Sequence, residues 1–240
     1  MSIEGLERGV GRLGADAPGR VIAVVGLSRE AKIAARAKLM PVIGAGNGEL
    51  LEQRLGWAIA KGCAGIVSFG IAGALAPLLK IGDTIIATHV VHGDEHYRTD
   101  SRWSEVLRDK LPEAHSVVLA GHDQIVSNVF GKKRLFAETG AHAVDMESHI
   151  AARMAEYHGI PFVALRTISD VSTKGLPPAA LEPLSETGKV RLTRVLASVA
   201  ADPGQISDLL ATGREAGRAF RALLRSRNAL GLFLGCPYLG

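Results

Sequence analysis

RVIAVVGLSREAKIAARAKL, Arg20 to Leu39, places a β-branched run, a glycine turn and a helix pattern in direct succession. Val21 to Val25 is apolar without alternation, the signature of a strand covered on both faces. Gly26 ends it, and from Ser28 the spacing of Ala31, Ala34, Ala35 and Lys38 is helical, with Ser28 as the expected cap. A buried strand followed at once by a helix is the building unit of an α/β fold.

The same alternation continues along the chain. KLMPVIGAGNG (38–48) reads as a strand ending in a glycine turn, and ELLEQRLGWAIAKG (49–62) as an amphipathic helix closed by Gly62. AGIVSFG (64–70), DTIIATHVV (83–91) and HSVVLAG (115–121) read as strands. AHAV (141–144) is a short strand before a helix with Ile150, Met154 and Tyr157 on one face. IPFVALRTISD (160–170) is a strand entered through Pro161. The expected architecture is a single α/β domain over 1–240, with a mixed, largely parallel central sheet covered by helices. STKGLPPAALEPLS (172–185) reads as a mobile loop near the site.

Composition narrows the function classes. Hydrophobic residues make up 47% of the 240 and charged residues 22%, which excludes a disordered chain. The net charge of +4 owes much to five arginines between Arg214 and Arg227; elsewhere acids and bases alternate, leaving no nucleic-acid footprint. Two cysteines, Cys63 and Cys236, form no CxxC and imply neither a disulfide framework nor structural zinc. MSIEGLERGV carries acids and no apolar core, so no leader is expected. The longest near-apolar run, Gly65 to Leu79, is shorter than the ~18 residues a spanning helix needs. A cytoplasmic protein is expected.

The unusual residues collect at strand ends, where open α/β sheets bind ligands. Asp145 and Glu147 follow AHAV; Ser169 and Asp170 follow FVALRTI; Gly26, Ser28 and Arg29 follow VIAVV; Gly70 to Gly73 follow IVSF; His122 to Gln124 follow VVLAG. Acids after strands also cap the next helix, and position alone fits either role for Asp145 and Glu147.

AVDMES (143–148), PFVALRTISDVS (161–172) and GIAGALAPLLKIGD (70–83) together resemble the purine nucleoside phosphorylase and nucleosidase family, over about Val21 to Ser198. Within it, TGAHAVDMES and GREAGRAFRALL look most like the hopanoid-associated phosphorylases, linked to removing adenine from adenosylhopane. The resemblance implies cleavage of an N-glycosidic bond, which leaves positive charge on the ribose and negative charge on the base. It makes Asp170 the acid assisting the leaving purine, with Ser169 orienting it. Glu147 would accept hydrogen bonds from the ribose hydroxyls, and Met146 would give the sugar an apolar contact. Asp145, where many relatives carry Glu, would support Glu147.

Phosphate as co-substrate would need an anion site. Gly26, Ser28 and Arg29 offer amides, a hydroxyl and a guanidinium at a helix N-terminus, and Gly70 and Gly73 permit close backbone approach. Two departures from the family bear on this. Ile71 stands where many relatives have Ser or Thr, and the water-holding Glu of hydrolytic relatives falls in register on Ala31, with Glu30 one residue earlier. Phosphorolysis is the expected reaction, with hydrolysis at the same site and a non-catalytic nucleoside binder as alternatives. No aromatic follows VVLAG, so Gln124 and Asp123 are the candidates for the base edge.

No metal or organic cofactor is expected. His89, His92 and His96 with Asp94 and Glu95 lack HExxH geometry and read as a polar loop. GAGNG lacks the third glycine position of a dinucleotide fingerprint. Ser148 reads as an ordinary helix residue and Arg166 as an internal ion pair. Arg214, Arg218, Arg221 and Arg225 follow helical spacing in a basic C-terminal helix and tail, about 205–240, expected to pack on the core or to rest on an anionic membrane. A homodimer or larger homo-oligomer is expected by resemblance.

Overall fold

The computed structural model describes residues 19–182 and 184–239; the N-terminal stretch expected to lack a leader lies outside them. The first unit is strand β1 (Val21–Val25) and helix α1 (Ser28–Ala35), then β2 (Met40–Ile43) and α2 (Gly48–Ile59). β3 (Gly65–Ala74), β4 (Thr84–His92) and β5 (Glu95–Arg98) follow, then α3 (Ser101–Lys110) and β6 (His115–Gly121). α4 (Val129–Thr139), β7 (Ala143–Asp145), α5 (Ser148–Tyr157) and β8 (Phe162–Asp170) complete the sheet region. α6 (Leu192–Ala201) and α7 (Ile206–Leu230) close the chain.

All five residues of β1 are buried, as the unbroken apolar run predicts. Their side chains alternate between two cores. Ile22 and Val24 pack with Leu51 and Leu55 of α2 and Ile150 of α5. Val21, Ala23 and Val25 pack with Ile33 of α1, Trp103 of α3, and Phe220 and Leu223 of α7. The sheet is therefore covered by helices on both faces, as expected.

The sheet is mixed, in the order β2-β1-β3-β7-β6-β4-β5, and β8 pairs with both β3 and β4. β3, β8, β4, β6 and β7 thus close into a ring rather than forming an open sheet. β3 makes this possible by changing partners along its length. Its first half pairs with β1 and β8; past a register shift between Ala72 and Gly73 its tip also pairs antiparallel with β7. The glycine-rich stretch Gly70–Ala74, expected as a loop, is thereby strand.

Three further expectations change. HVVHGDEHYR is a β4–β5 hairpin rather than a polar loop, turning at Gly93 with φ +56°. Ser28 is the first residue of α1 rather than its cap; the reach-back comes from Glu30, described below. The stretch after β8 is pinned at several points: Leu176 N–H donates to Ser127 O, and Ala179 N–H to the buried Gln205 Oε1.

The C-terminal helix rests on the core. Phe220, Leu223 and Leu230 of α7 are buried, while Arg214, Arg218, Arg221 and Arg225 face solvent. α6 is the opposite case, an amphipathic helix with no buried residue. Among the described residues, no helix is long and apolar enough to cross a membrane.

Gly65 is where the sheet meets Trp103, which is fully buried: a Cβ there would stand 2.7 Å from the ring Cζ3. Gly65→Ala is expected to destabilise by about 1–3 kcal/mol through overpacking. Gly213→Ala, in α7 with nothing within 4 Å, is expected to gain up to about 1 kcal/mol of helix propensity. Urea unfolding of the two variants checks both signs.

Candidate active site

The carboxyl ends of β1, β3, β7 and β8 meet at one guanidinium. Arg166, at the middle of β8, is 1% exposed. Its Nε lies 2.7 Å from Asp145 Oδ2, an ion pair in which the N–H is not aimed along the contact. Its Nη2 donates to Ser68 Oγ at 2.5 Å and stands 3.5 Å from Glu147 Oε2. Its Nη1 reaches Ile71 O at 3.4 Å.

Asp145 is held as a structural acid. Oδ1 accepts from the amides of Glu147 (3.2 Å) and Ser148 (2.9 Å), capping the start of α5. Oδ2 accepts from Ser148 Oγ, which also lies 2.8 Å from Ser68 Oγ. The capping alternative thus describes Asp145's bonds, and Ser148 is a member of the network rather than an ordinary helix residue.

Glu147 projects into the space left by two glycines. A Cβ on Gly26 would be 2.6 Å from Glu147 Oε1, and one on Gly44 would be 3.2 Å from its Cγ. Burial, with Asp145 and Glu30 adding to it against Arg166, pushes its carboxyl up to about 8. Met146 is half-buried, its Cε 3.5 Å from where a Gly46 Cβ would stand.

Glu30 is the residue that register alone placed outside the site. It is 1% exposed, and its Oε2 accepts from the amides of Gly26 and Leu27, both at 2.8 Å. Oε1 accepts from Ile71 N–H at 2.8 Å. Burial raises its pKa, against the opposing pull of Arg166 and the three amides. A side chain on Gly70 would collide with both Glu30 and Arg166, which explains a glycine inside β3. For Arg166, burial opposes the charge, but Asp145, Glu147 and Glu30 outweigh it and keep it protonated.

The residues expected as a phosphate cradle make contacts within the protein. The amides of Gly26 and of Ile71 in β3 hold the Glu30 carboxyl group. Ser28 N–H donates to Gly188 O at 3.0 Å, and Arg29 lies 4.3 Å over the Phe220 ring of α7.

A second cluster surrounds Asp170 at the end of β8. Asp170 Oδ1 accepts from Ser169 Oγ at 2.8 Å, and both oxygens sit over Gly73, where a Cβ would be 3.0 Å from Oδ2. Oδ2 accepts from Lys132 Nζ at 2.5 Å, and Lys132 is 0% exposed. No sequence signal marked this lysine, which lies in the first turn of α4, in GKKRL.

The base-edge candidates diverge. Gln124 is exposed, with its backbone bonded around His122. Asp123 is exposed, and its Oδ1 lies 3.1 Å from Nε2 of His149, which is buried. His149 stacks on His92, centroids 4.3 Å apart and planes 16° apart, and burial followed by His92 lowers its pKa. One ligand atom from each of His92, Asp123 and His149 fits within 4.8 Å. An ion cannot lie in the planes of both imidazoles while they stack, so this arrangement is a poor coordination geometry.

A family model described as the phosphorylase superfamily matches residues 21–201. The chain belongs to that superfamily. Among its relatives, the aminodeoxyfutalosine nucleosidase of Helicobacter pylori is 29% identical over 133 residues, 47% of this chain and 58% of that protein. The 5′-methylthioadenosine/S-adenosylhomocysteine nucleosidase of Anoxybacillus flavithermus is 27% identical over 137 residues, 45% of this chain and 57% of that one. The chain thus matches little more than half the length of these relatives. A point mutant of the Helicobacter pylori methylthioadenosine nucleosidase, solved with 5′-methylthioadenosine in its active site, has the same fold: TM-score 0.64 at 16% identity, over 88% of this chain and 98% of that one. These superfamily relatives are named as nucleosidases; the hopanoid-associated group is not among them.

Glu147's raised pKa carries a stability consequence. The folded protein keeps a proton that the unfolded chain releases as pH passes the ordinary value of 4.5 and climbs to about 8. Rising pH in that window therefore favours unfolding. Glu147→Gln is expected to melt higher than the wild type at pH 8, with an advantage that shrinks towards pH 5. Thermal melts across that range check the sign and the slope.

Proposed function

We propose that this protein hydrolyses the N-glycosidic bond of an adenine nucleoside modified at the 5′ position, releasing adenine. The observation that carries the choice of water over phosphate is the Glu30 carboxylate bonded to the amides of Gly26, Leu27 and Ile71. A phosphate dianion would have to displace the Glu30 side chain and then sit among Glu30, Glu147 and Asp145, with Arg166 the one neighbouring cation among the described residues. A neutral water meets no such repulsion. It can donate to Glu30 or Glu147 and accept from Arg166, and a carboxylate there can take its proton as it attacks the ribose C1′.

In this reading Glu147 also accepts from the ribose hydroxyls and favours the developing positive charge, with Met146 against the sugar. Asp170, oriented by Ser169, serves the leaving base. The relatives' names supply the substrate class, since they include 5′-methylthioadenosine; the narrower expectation of adenosylhopane draws nothing from them. Adenine release from methylthioadenosine, with free 5-methylthioribose as co-product, is expected at equal rates with and without phosphate. Phosphate-dependent release would restore phosphorolysis, and tight binding without release would make the protein a binder. Glu30→Gln is expected to slow release by about 10²–10⁴-fold.

Contact with an anionic surface is proposed through α6 rather than through α7. Leu192 and Leu196 are 71% and 67% exposed, beside Lys189, Arg191 and Arg194, and no acid falls between Gly188 and Ala201. Replacing both leucines with Ser is expected to abolish flotation with anionic liposomes. The expected homo-oligomer has a candidate face where exposed Trp57 and Tyr157 lie on the packed helices α2 and α5.

A further inference from the structure

Lys132 is a buried charge that the hydrolytic reading leaves without a task. It projects from α4, is fully buried, and its ammonium meets three oxygens: Asp170 Oδ2 at 2.5 Å, Val171 O at 2.8 Å and Lys174 O at 3.0 Å. An ammonium has three N–H groups, so each is matched to an acceptor. Each oxygen of Asp170 has a partner, Ser169 Oγ on Oδ1 and Lys132 on Oδ2. Beside a lysine at ion-pair distance this acid is a carboxylate, and a carboxylate can only accept. A departing purine, however, needs a donor at N7. Of the two groups on Asp170, the Ser169 hydroxyl is far the weaker acid.

We propose that Lys132 is the proton source for the leaving base, acting through Asp170; the proposal rests on the glycosidic-cleavage reading above. As the bond between ribose C1′ and purine N9 breaks, its electron pair goes to the base. Lys132 gives a proton to Asp170, which hands it on to N7, so that the lysine is left as a neutral amine and Asp170 is a carboxylate again. The attacking water loses a proton on forming the new C1′–O bond, and that proton restores the lysine. The sum is nucleoside plus water giving purine and free sugar. Lys132 is fully buried with its ammonium on Asp170, Val171 and Lys174, so it is a positioning and proton-supplying residue. Its bonds to Val171 and Lys174 fix the backbone just past Asp170, which keeps the pair at hydrogen-bonding distance.

Charge and proton supply separate in two variants. Lys132→Arg keeps the positive charge but cannot give up its proton. Lys132→Gln removes both and leaves Asp170 as a lone carboxylic acid. Adenine release is measured against pH for both and for the wild type, with thermal melts to confirm folding. Lys132→Arg is expected to fall at least about 10-fold below the wild type at every pH. Lys132→Gln is expected to approach the wild-type rate at low pH and to lose activity at lower pH than the wild type does. Lys132→Arg at the wild-type rate would overturn the relay, as would Lys132→Gln slowed by one factor at all pH values. If neither variant folds, the wild type decides. Its rate of adenine release in mixtures of light and heavy water should show more than one proton in motion as the bond breaks, and a strictly one-proton dependence overturns the proposal. A wild type that releases no adenine refutes the hydrolytic reading itself, whereas release with an unimpaired Lys132→Arg refutes only the relay.

Discussion

One guanidinium among three carboxylates sets the terms for this site. Arg166 sits inside β8 and is shut off from solvent, so its charge has to be answered by the protein. Asp145 answers from β7, Glu147 from the start of α5 and Glu30 from α1. Three acids exceed one base, and burial forbids them all to ionise freely, which is why Glu30 and Glu147 both hold their protons more tightly than usual. In the proposed reaction, a site so crowded with acids suits a neutral nucleophile that must lose a proton.

The ring of strands brings those groups together. β3 carries Ser68 and Gly70 past Arg166, then shifts register at Gly73 so that its tip can pair with β7. That pairing sets Val144 of β7 opposite Gly73, next to Asp145. Glycines stand where two carboxylates and a guanidinium crowd the backbone, at Gly26, Gly44 and Gly70. They act less as a phosphate loop than as space for Glu147 and Glu30. The same glycines that suggest anion binding in a sequence thus accommodate the protein's own anions.

Two clusters divide the chemistry. In the proposed reaction the groups around Arg166 would serve the nucleophile and the sugar, and those around Lys132 the leaving group. β8 links them, since Arg166 and Asp170 are four residues apart on one strand that pairs with β3 along its length. The exposed Arg stripe of α7 belongs to neither cluster, and the apolar side of that helix is consumed by the core.

The alternation of apolar runs with helical periods determined by itself that the chain folds as an α/β domain, because a strand buried on both faces has to be apolar throughout. It also located Asp145, Glu147, Ser169 and Asp170, since acids at the ends of apolar strands are costly and few. Closure of the sheet was not legible, because it depends on β8 pairing with two strands that are distant in sequence. Glu30 escaped a reading by register: a helix turns its side chains in three dimensions, and the reach of a glutamate back to Gly26 and across to Ile71 has no one-dimensional period. Lys132 carried no signal at all. A lysine within a helix reads as solvated, and only the packing of α4 against the end of β8 turned it into a buried partner for Asp170.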